Sequence, residues 1–215
     1  MKKFIKILDT LEDNQDTTML GKMQKKHDAF KILIATMLSA RTRDEQSEPA
    51  AERLFAVYDT PMKIANAPLP KLEVLVKSTG FYKEKAKRIR MASQQILDRH
   101  YGEVPDNMTD LVALEGVGRK TAGCVMVYAF GKHAIPVDTH VHRISNRLGV
   151  VSTKTPEQTE MALEKITPKN WWLRVNELLV RHGKTICFPR NPNCPACPVK
   201  KYCDYYGDVY KPAHK

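Results

Sequence analysis

Apolar residues recur at helical spacing through nearly all of this chain, and that pattern constrains the fold more than any other feature. In DAFKILIATMLSA, Phe30, Leu33, Ile34, Met37 and Leu38 form one stripe behind a candidate N-cap at Asp28. The same spacing predicts helices in PAAERLFAVY, LPKLEVLVKS, KEKAKRIRMASQQILDRHY, TDLVALE, RKTAGCVMVYAFG, THVHRISNRLG, PEQTEMALEKI and NWWLRVNELLVRHGKTI. Glycine and proline punctuate the gaps at Pro61, Pro68, Gly80, Gly102, Pro105, Gly116, Gly118, Gly131, Pro136, Pro156 and Pro168. No stretch alternates as a half-buried strand would, so about ten helices on short connections imply an all-α fold rather than a βαβ one. A division near Gly131 separates a helical lobe spanning 19–131 from a second lobe made of 1–18 plus 132–215.

Charge narrows the partner. Lysine and arginine total 35 against 24 acidic residues, a net charge of +11, which in a compact chain points to a polyanion. Nucleic acid is favoured over a membrane surface, because no run approaches the roughly 18 apolar residues of a membrane span and no lipid-seeking helix is evident. The opening MKKFIKILDTLEDNQD reads as an amphipathic helix of a mature cytosolic chain, since acidic residues interrupt its apolar run. Four of the five cysteines gather near the end, unlike a disulfide framework, which also predicts a cytoplasmic location.

The segment LEGVGRKTAGCVMVYAFGKHAIPVDTH carries two residues that a simple turn and helix do not require. Helix, EGVG turn and helix form a hairpin over about 107–130, in which Gly116 and Gly118 let a ligand approach the backbone. The second helix, opening at Arg119, presents unpaired N–H groups and the positive end of its dipole, a setting for phosphate that reads no bases. An ordinary glycine-capped hairpin fits the same residues. Lys120 lies in that first turn, where the dipole disfavours its charge and makes the neutral amine more available for attack on a sugar carbon. A solvated lysine touching phosphate is the plainer reading. Asp138 precedes a helix and is a natural N-cap, and a carboxylate fixed there can also stabilise a cation or move a proton.

CFPRNPNCPACPVKKYC places Cys187, Cys194, Cys197 and Cys203 in a C-x6-C-x2-C-x5-C pattern. Four thiolates on one loop can hold a four-iron cluster or zinc, and three unequal gaps with a single C-x2-C favour the cluster over paired zinc knuckles. Arg190, Lys200 and Lys201 decorate the loop, either as phosphate contacts or as solubilising charge. Cys124 does not fit the spacing and reads as a small core residue.

Together, LEGVGRKTAGCVMVYAFG and VDTHVHRISNRLG resemble the helix-hairpin-helix and Gly/Pro-Asp signature of the endonuclease III family of DNA glycosylases, and the cysteine spacing matches that family's iron–sulfur loop. The resemblance runs from about Phe30 to Tyr205. It implies a two-lobed helical fold with a [4Fe-4S] cluster, acting as a monomer on damaged double-stranded DNA. It assigns Lys120 the attack on the sugar carbon, Asp138 the support of base loss and proton transfers, and the pair a β-elimination that nicks the strand. The expected substrates are oxidised or ring-saturated pyrimidines. Adenine-specific mismatch glycosylases lack the motif lysine, so the lyase-competent branch is favoured. A thymine or uracil mismatch glycosylase, or a non-enzymatic iron–sulfur DNA-binding protein, are the other readings.

Several positions need separate treatment. LIATMLSARTRDEQ, read as part of one helix, has Arg41 where the family has a glutamine that fills the gap of an extruded nucleotide. Arg41 is either that plug, with a preference for lesions opposite guanine, or an arginine held by phosphate or by Asp44. Phe81 falls where the family places an apolar wedge, though an aromatic after glycine is also a common core residue. Glu115 replaces a proline, which leaves the stiffness of the turn to be supplied otherwise. His140 is expected beside the pocket, and His142 lies on another helical face, so H-x-H does not read as a metal site.

Overall fold

The computed structural model describes residues 2–12, 18–24 and 28–213. These form two compact units, one of Met19–Lys132 and one of Met1–Thr18 with His133–Lys215. No strand occurs among the described residues.

The Met19–Lys132 unit contains α2 (Met19–Gln24), α3 (Ala29–Ser39), α4 (Asp44–Val57), α5 (Pro61–Ala65), α6 (Leu69–Leu75), α7 (Tyr82–His100), α8 (Met108–Val112) and α9 (Arg119–Tyr128), while α1 (Lys2–Glu12) belongs to the other unit. Helix α3 is its centre. Every residue from Ile32 to Leu38 is buried, and a helix apolar all round can only sit inside a core. It packs against α4, α7 and α9, and burial of a side chain such as Leu33 stabilises by about 1.5–3 kcal/mol. Asp28 caps it, its Oδ1 accepting from the Lys31 amide at 2.9 Å. The helix ends at Ser39, so Arg41 and Thr42 lie in a turn rather than in one helix through LIATMLSARTRDEQ. Proline does not open α4 as the spacing predicted. The helix begins at Asp44 with two acidic residues facing its dipole, and Pro49 is accommodated inside it. Helices α2 and α5, each little more than one turn, were not among the predicted helices.

The second unit is built from α1, α10 (Thr139–Arg147), α11 (Pro156–Ile166) and α12 (Lys169–Thr185), followed by the cysteine loop and short turns of helix to Ala213. Phe4, Ile7, Leu8 and Leu11 of α1 join Val141 and Ile144 of α10, Leu163 of α11 and Val175, Leu178 and Leu179 of α12 in one core. The predicted amino-terminal helix thus closes at Glu12, and residues 13–16 of that stretch lie outside the described residues. Thr155 caps α11 with Pro156 at its first position, the arrangement that proline's fixed φ favours. No helix of the described residues is long and apolar enough to cross a membrane.

Candidate active site

The hairpin is anchored by what it buries. Leu111, Leu114 and Val117 are buried, and the Leu114 and Val117 amides close successive turns onto the carbonyls of Leu111 and Leu114 at 3.2 and 3.1 Å. Gly116 sits at φ +74°, and a Cβ there would stand 2.8 Å from Arg88 Cδ and 3.0 Å from Arg88 Cβ, so conformation and space both require glycine. Glu115 donates its amide to Gln95 Oε1 at 2.7 Å. Proline has no such N–H, so here a bond from α7 supplies the restraint that a ring would supply. Gly118 is the N-cap of α9 without a side-chain cap, and a Cβ on it would meet nothing within 4 Å. Arg119 is exposed and Lys120 half-buried in the first turn of α9.

In the other unit, Asp138 caps α10. Its Oδ1 accepts from the amides of His140 (2.8 Å) and Val141 (2.9 Å), while Oδ2 takes no hydrogen bond among the described residues. His140 Nδ1 stands 3.2 Å from Arg143 Nη2. Burial holds the His140 pKa below the usual histidine range; Asp138 pulls it up, and Arg143 and Lys184 push it down. Arg143 Nη2 also donates to the carbonyl of Cys187 at 2.8 Å, so a continuous set of contacts joins the Asp138 turn to the start of the cysteine loop. His142 points elsewhere, with Nδ1 2.6 Å from Thr159 Oγ1.

Cys187, Cys194, Cys197 and Cys203 line one cavity with Ile144, Arg147, Leu148 and His182, and all four are free thiols. Arg147 donates to Cys187 Sγ (3.4 Å) and to the carbonyls of Phe188 (2.7 Å) and Pro189 (2.9 Å), with its guanidinium 4.6 Å from the Tyr205 ring centroid. Cys203 Sγ donates to the Arg147 carbonyl at 3.3 Å. His182 Nε2 lies 3.6 Å from Cys197 Sγ, and burial brings the His182 pKa down to about 4. Burial pushes Cys197 up to about 11 and raises Cys194 and Cys203 as well. Gathered thiols of this kind hold their protons unless a cation offsets the thiolate charges. Among the described residues, no group of three or more His, Cys, Asp or Glu side chains converges tightly enough to hold a single metal ion. Cys124 is buried in α9.

The loop's cations differ in their engagement. Lys200 Nζ donates to the Pro195 carbonyl at 2.6 Å, Lys201 Nζ lies 4.9 Å from the Tyr202 ring centroid, and Arg190 is exposed with no hydrogen bond or ion pair among the described residues.

Arg41 and Phe81 come together. Both hold positive φ, +52° and +58°, and the Arg41 guanidinium lies 6.0 Å from the Phe81 ring centroid. Phe81 is 68% exposed, which excludes the core reading. Non-glycine residues at such φ are strained, and strain of this kind gathers where a side chain must be presented.

Sequence reasoning passed over Arg143, Arg147, His182 and Lys85. The two arginines and the histidine gave no signal, because their partners are carbonyls and thiols distant in sequence. Lys85 did leave one, since it shares the buried stripe of α7 with Ile89, Ala92 and Ile96.

Residues 34–169 match the sequence profile of the HhH-GPD superfamily base excision DNA repair protein. The chain is 48% identical over 182 residues to endonuclease III of Thermotoga maritima, covering 85% of each. It superposes on a non-covalent endonuclease III–DNA complex with a TM-score of 0.89 at 35% identity, covering 100% of this chain and 98% of that one. A trapped endonuclease III–DNA covalent intermediate, an estranged-adenine complex, follows at 0.82 and 34% identity, covering 98% of each chain. With its signature hairpin and matching length, the chain belongs to the HhH-GPD superfamily of base excision DNA repair proteins and, within it, to the endonuclease III family.

Proposed function

We propose that this DNA glycosylase and abasic-site lyase removes oxidised or ring-saturated pyrimidines from duplex DNA, with Lys120 as nucleophile and Asp138 as its acid–base partner. The observation that carries the assignment is the Asp138 cap: one carboxylate oxygen fixes α10 and leaves the other for chemistry. The Lys120 amine attacks C1′ of the damaged nucleotide, and the departing base takes the bonding pair. Asp138 stabilises the positive charge that develops on the sugar and accepts the proton lost by the amine. The opened sugar is then a Schiff base on Lys120; loss of a C2′ proton breaks the C3′–O bond and releases the 3′-phosphate. That a relative of 34% identity was trapped as a covalent intermediate with DNA supports this route. The Gly116–Gly118 turn, Arg119, Arg190, Lys200 and Lys201 are assigned to the phosphate backbone, and Arg41 and Phe81 to the gap left by the extruded nucleotide.

Cys187, Cys194, Cys197 and Cys203 would hold a [4Fe-4S] cluster, whose part is to fix the loop that bears Arg190, Lys200 and Lys201. The four thiols on one cavity fit it. Three unequal gaps with a single C-x2-C favour the cluster over zinc, whose sites usually present paired short knuckles. Borohydride trapping on duplexes carrying thymine glycol or an abasic site tests the reaction. A covalent adduct on both with wild type and none with Lys120→Ala is expected. Adduct on the abasic duplex alone would overturn the substrate class and turn attention to mismatched thymine or uracil, and absence of adduct on either would overturn the mechanism.

A further inference from the structure

Two turns of the Met19–Lys132 unit, 40–43 and 77–81, present Arg41 and Phe81, and a buried ammonium joins them. Lys85 Nζ donates to the Leu38 carbonyl at 2.6 Å and to Thr42 Oγ1 at 2.8 Å. Thr42 Oγ1 in turn accepts from the Gly80 amide at 3.0 Å. The turns pass so near each other that a Cβ on Gly80 would stand 3.2 Å from the Arg41 carbonyl oxygen. Further out, Arg53 Nη2 donates to Ser78 Oγ at 2.8 Å, and Ser78 donates to the Gln46 carbonyl at 3.0 Å, so the second turn is also tied to α4. Arg41 and Phe81 each sit in a left-handed conformation that their own side chains disfavour, so something outside them must hold it. A lysine buried in the apolar stripe of α7 is costly, and it persists where its hydrogen bonds fix a geometry.

We propose that Lys85, acting through Thr42, is a positioning residue that locks the two turns together and so holds Arg41 and Phe81 as one preformed wedge for the step that extrudes the damaged nucleotide. This rests on the reading of Arg41 and Phe81 as the residues that occupy the vacated stack. The wedge is needed most where stacking and pairing resist extrusion and least where the lesion is already unpaired.

The test compares excision of thymine glycol from a fully paired duplex with excision of the same lesion from a single-nucleotide bulge, using Lys85→Met, Thr42→Val, Thr42→Ser and the Arg41→Ala/Phe81→Ala double variant, with thermal unfolding recorded for each. Lys85→Met and Thr42→Val should lose roughly tenfold or more in kcat/KM on the paired duplex and keep bulge excision within about twofold, because a hydrogen bond to a charged donor is worth a factor of that order. Thr42→Ser, which keeps the hydroxyl, should restore paired-duplex excision. Equal losses on the two substrates, or none on either, would overturn the clamp. If Lys85→Met does not fold, Thr42→Val against Thr42→Ser decides alone. Should the double variant excise normally from the paired duplex, the wedge reading itself falls; should the double variant fail there while Thr42→Val succeeds, the wedge stands and the clamp falls.

Discussion

A carboxylate that caps a helix and a carboxylate that moves protons are usually alternatives; Asp138 caps through Oδ1 alone, and the proposed mechanism gives the proton transfers to its other oxygen. Asparagine caps as well as aspartate does, so Asp138→Asn should unfold within about 0.5 kcal/mol of wild type yet lose base excision by a hundredfold or more; Asp138→Ala should additionally cost about 1 kcal/mol in urea denaturation. At Lys85 the pH dependence can be worked out. The ordinary lysine value of 10.5 falls to about 8 on burial. Between those limits the unfolded chain binds a proton that the native chain does not, so stability rises as pH climbs through the window. Urea midpoints followed from neutral pH to 10 should therefore rise for wild type relative to Lys85→Met, and parallel curves would refute the burial of the ammonium. The candidate residues were legible where local sequence states the chemistry: a lysine in a hairpin's first turn, an aspartate before a helix, four spaced cysteines. Residues whose role depends on a carbonyl of another turn, such as Lys85 and Arg143, leave at most an anomaly in a periodic pattern.

Among the elements, the hairpin turn separates two glycines that look equivalent in sequence. Gly116 is demanded by the fold and Gly118 is not, since one meets Arg88 at positive φ and the other faces open space. Gly116→Ala should destabilise by about 1–3 kcal/mol, whereas Gly118→Ala should cost under about 1 kcal/mol but weaken binding to an abasic-site analogue, measured by fluorescence anisotropy. If Gly118→Ala bound normally, the approach of a phosphate to that turn would be ruled out. Long helices such as α7 and α12 were readable from their spacing, because burial of one face over several turns leaves a periodic record. Two short ones, α2 and α5, were not, although the equally short α8 was read from TDLVALE. Five or six residues, as in α5 and α2, give barely one turn of pattern, and the acidic start of α4 outweighed the proline that seemed to open it.

For the whole molecule, a net charge of +11 makes DNA affinity fall steeply with salt, but the share of each cation depends on what it already holds. Arg190 has no hydrogen bond or ion pair among the described residues, whereas Lys200 is held by the Pro195 carbonyl. Arg190→Ala should lower the slope of log affinity against log salt by about 1, and Lys200→Ala by less, in titrations from 50 to 200 mM salt. The packing of α1 on α12 was not readable from the sequence, because amphipathicity states that a face is buried and not against what. That packing has a consequence for synthesis. Helix α1 shares its core with residues from Ile135 onward, chiefly in α10, α11 and α12, so Phe4, Ile7, Leu8 and Leu11 wait uncovered while the Met19–Lys132 unit is translated. At about 5–20 residues per second that interval is on the order of ten seconds. Until those helices emerge, α1 presents four apolar side chains without their core partners, and a chaperone that grips nascent segments would find them there.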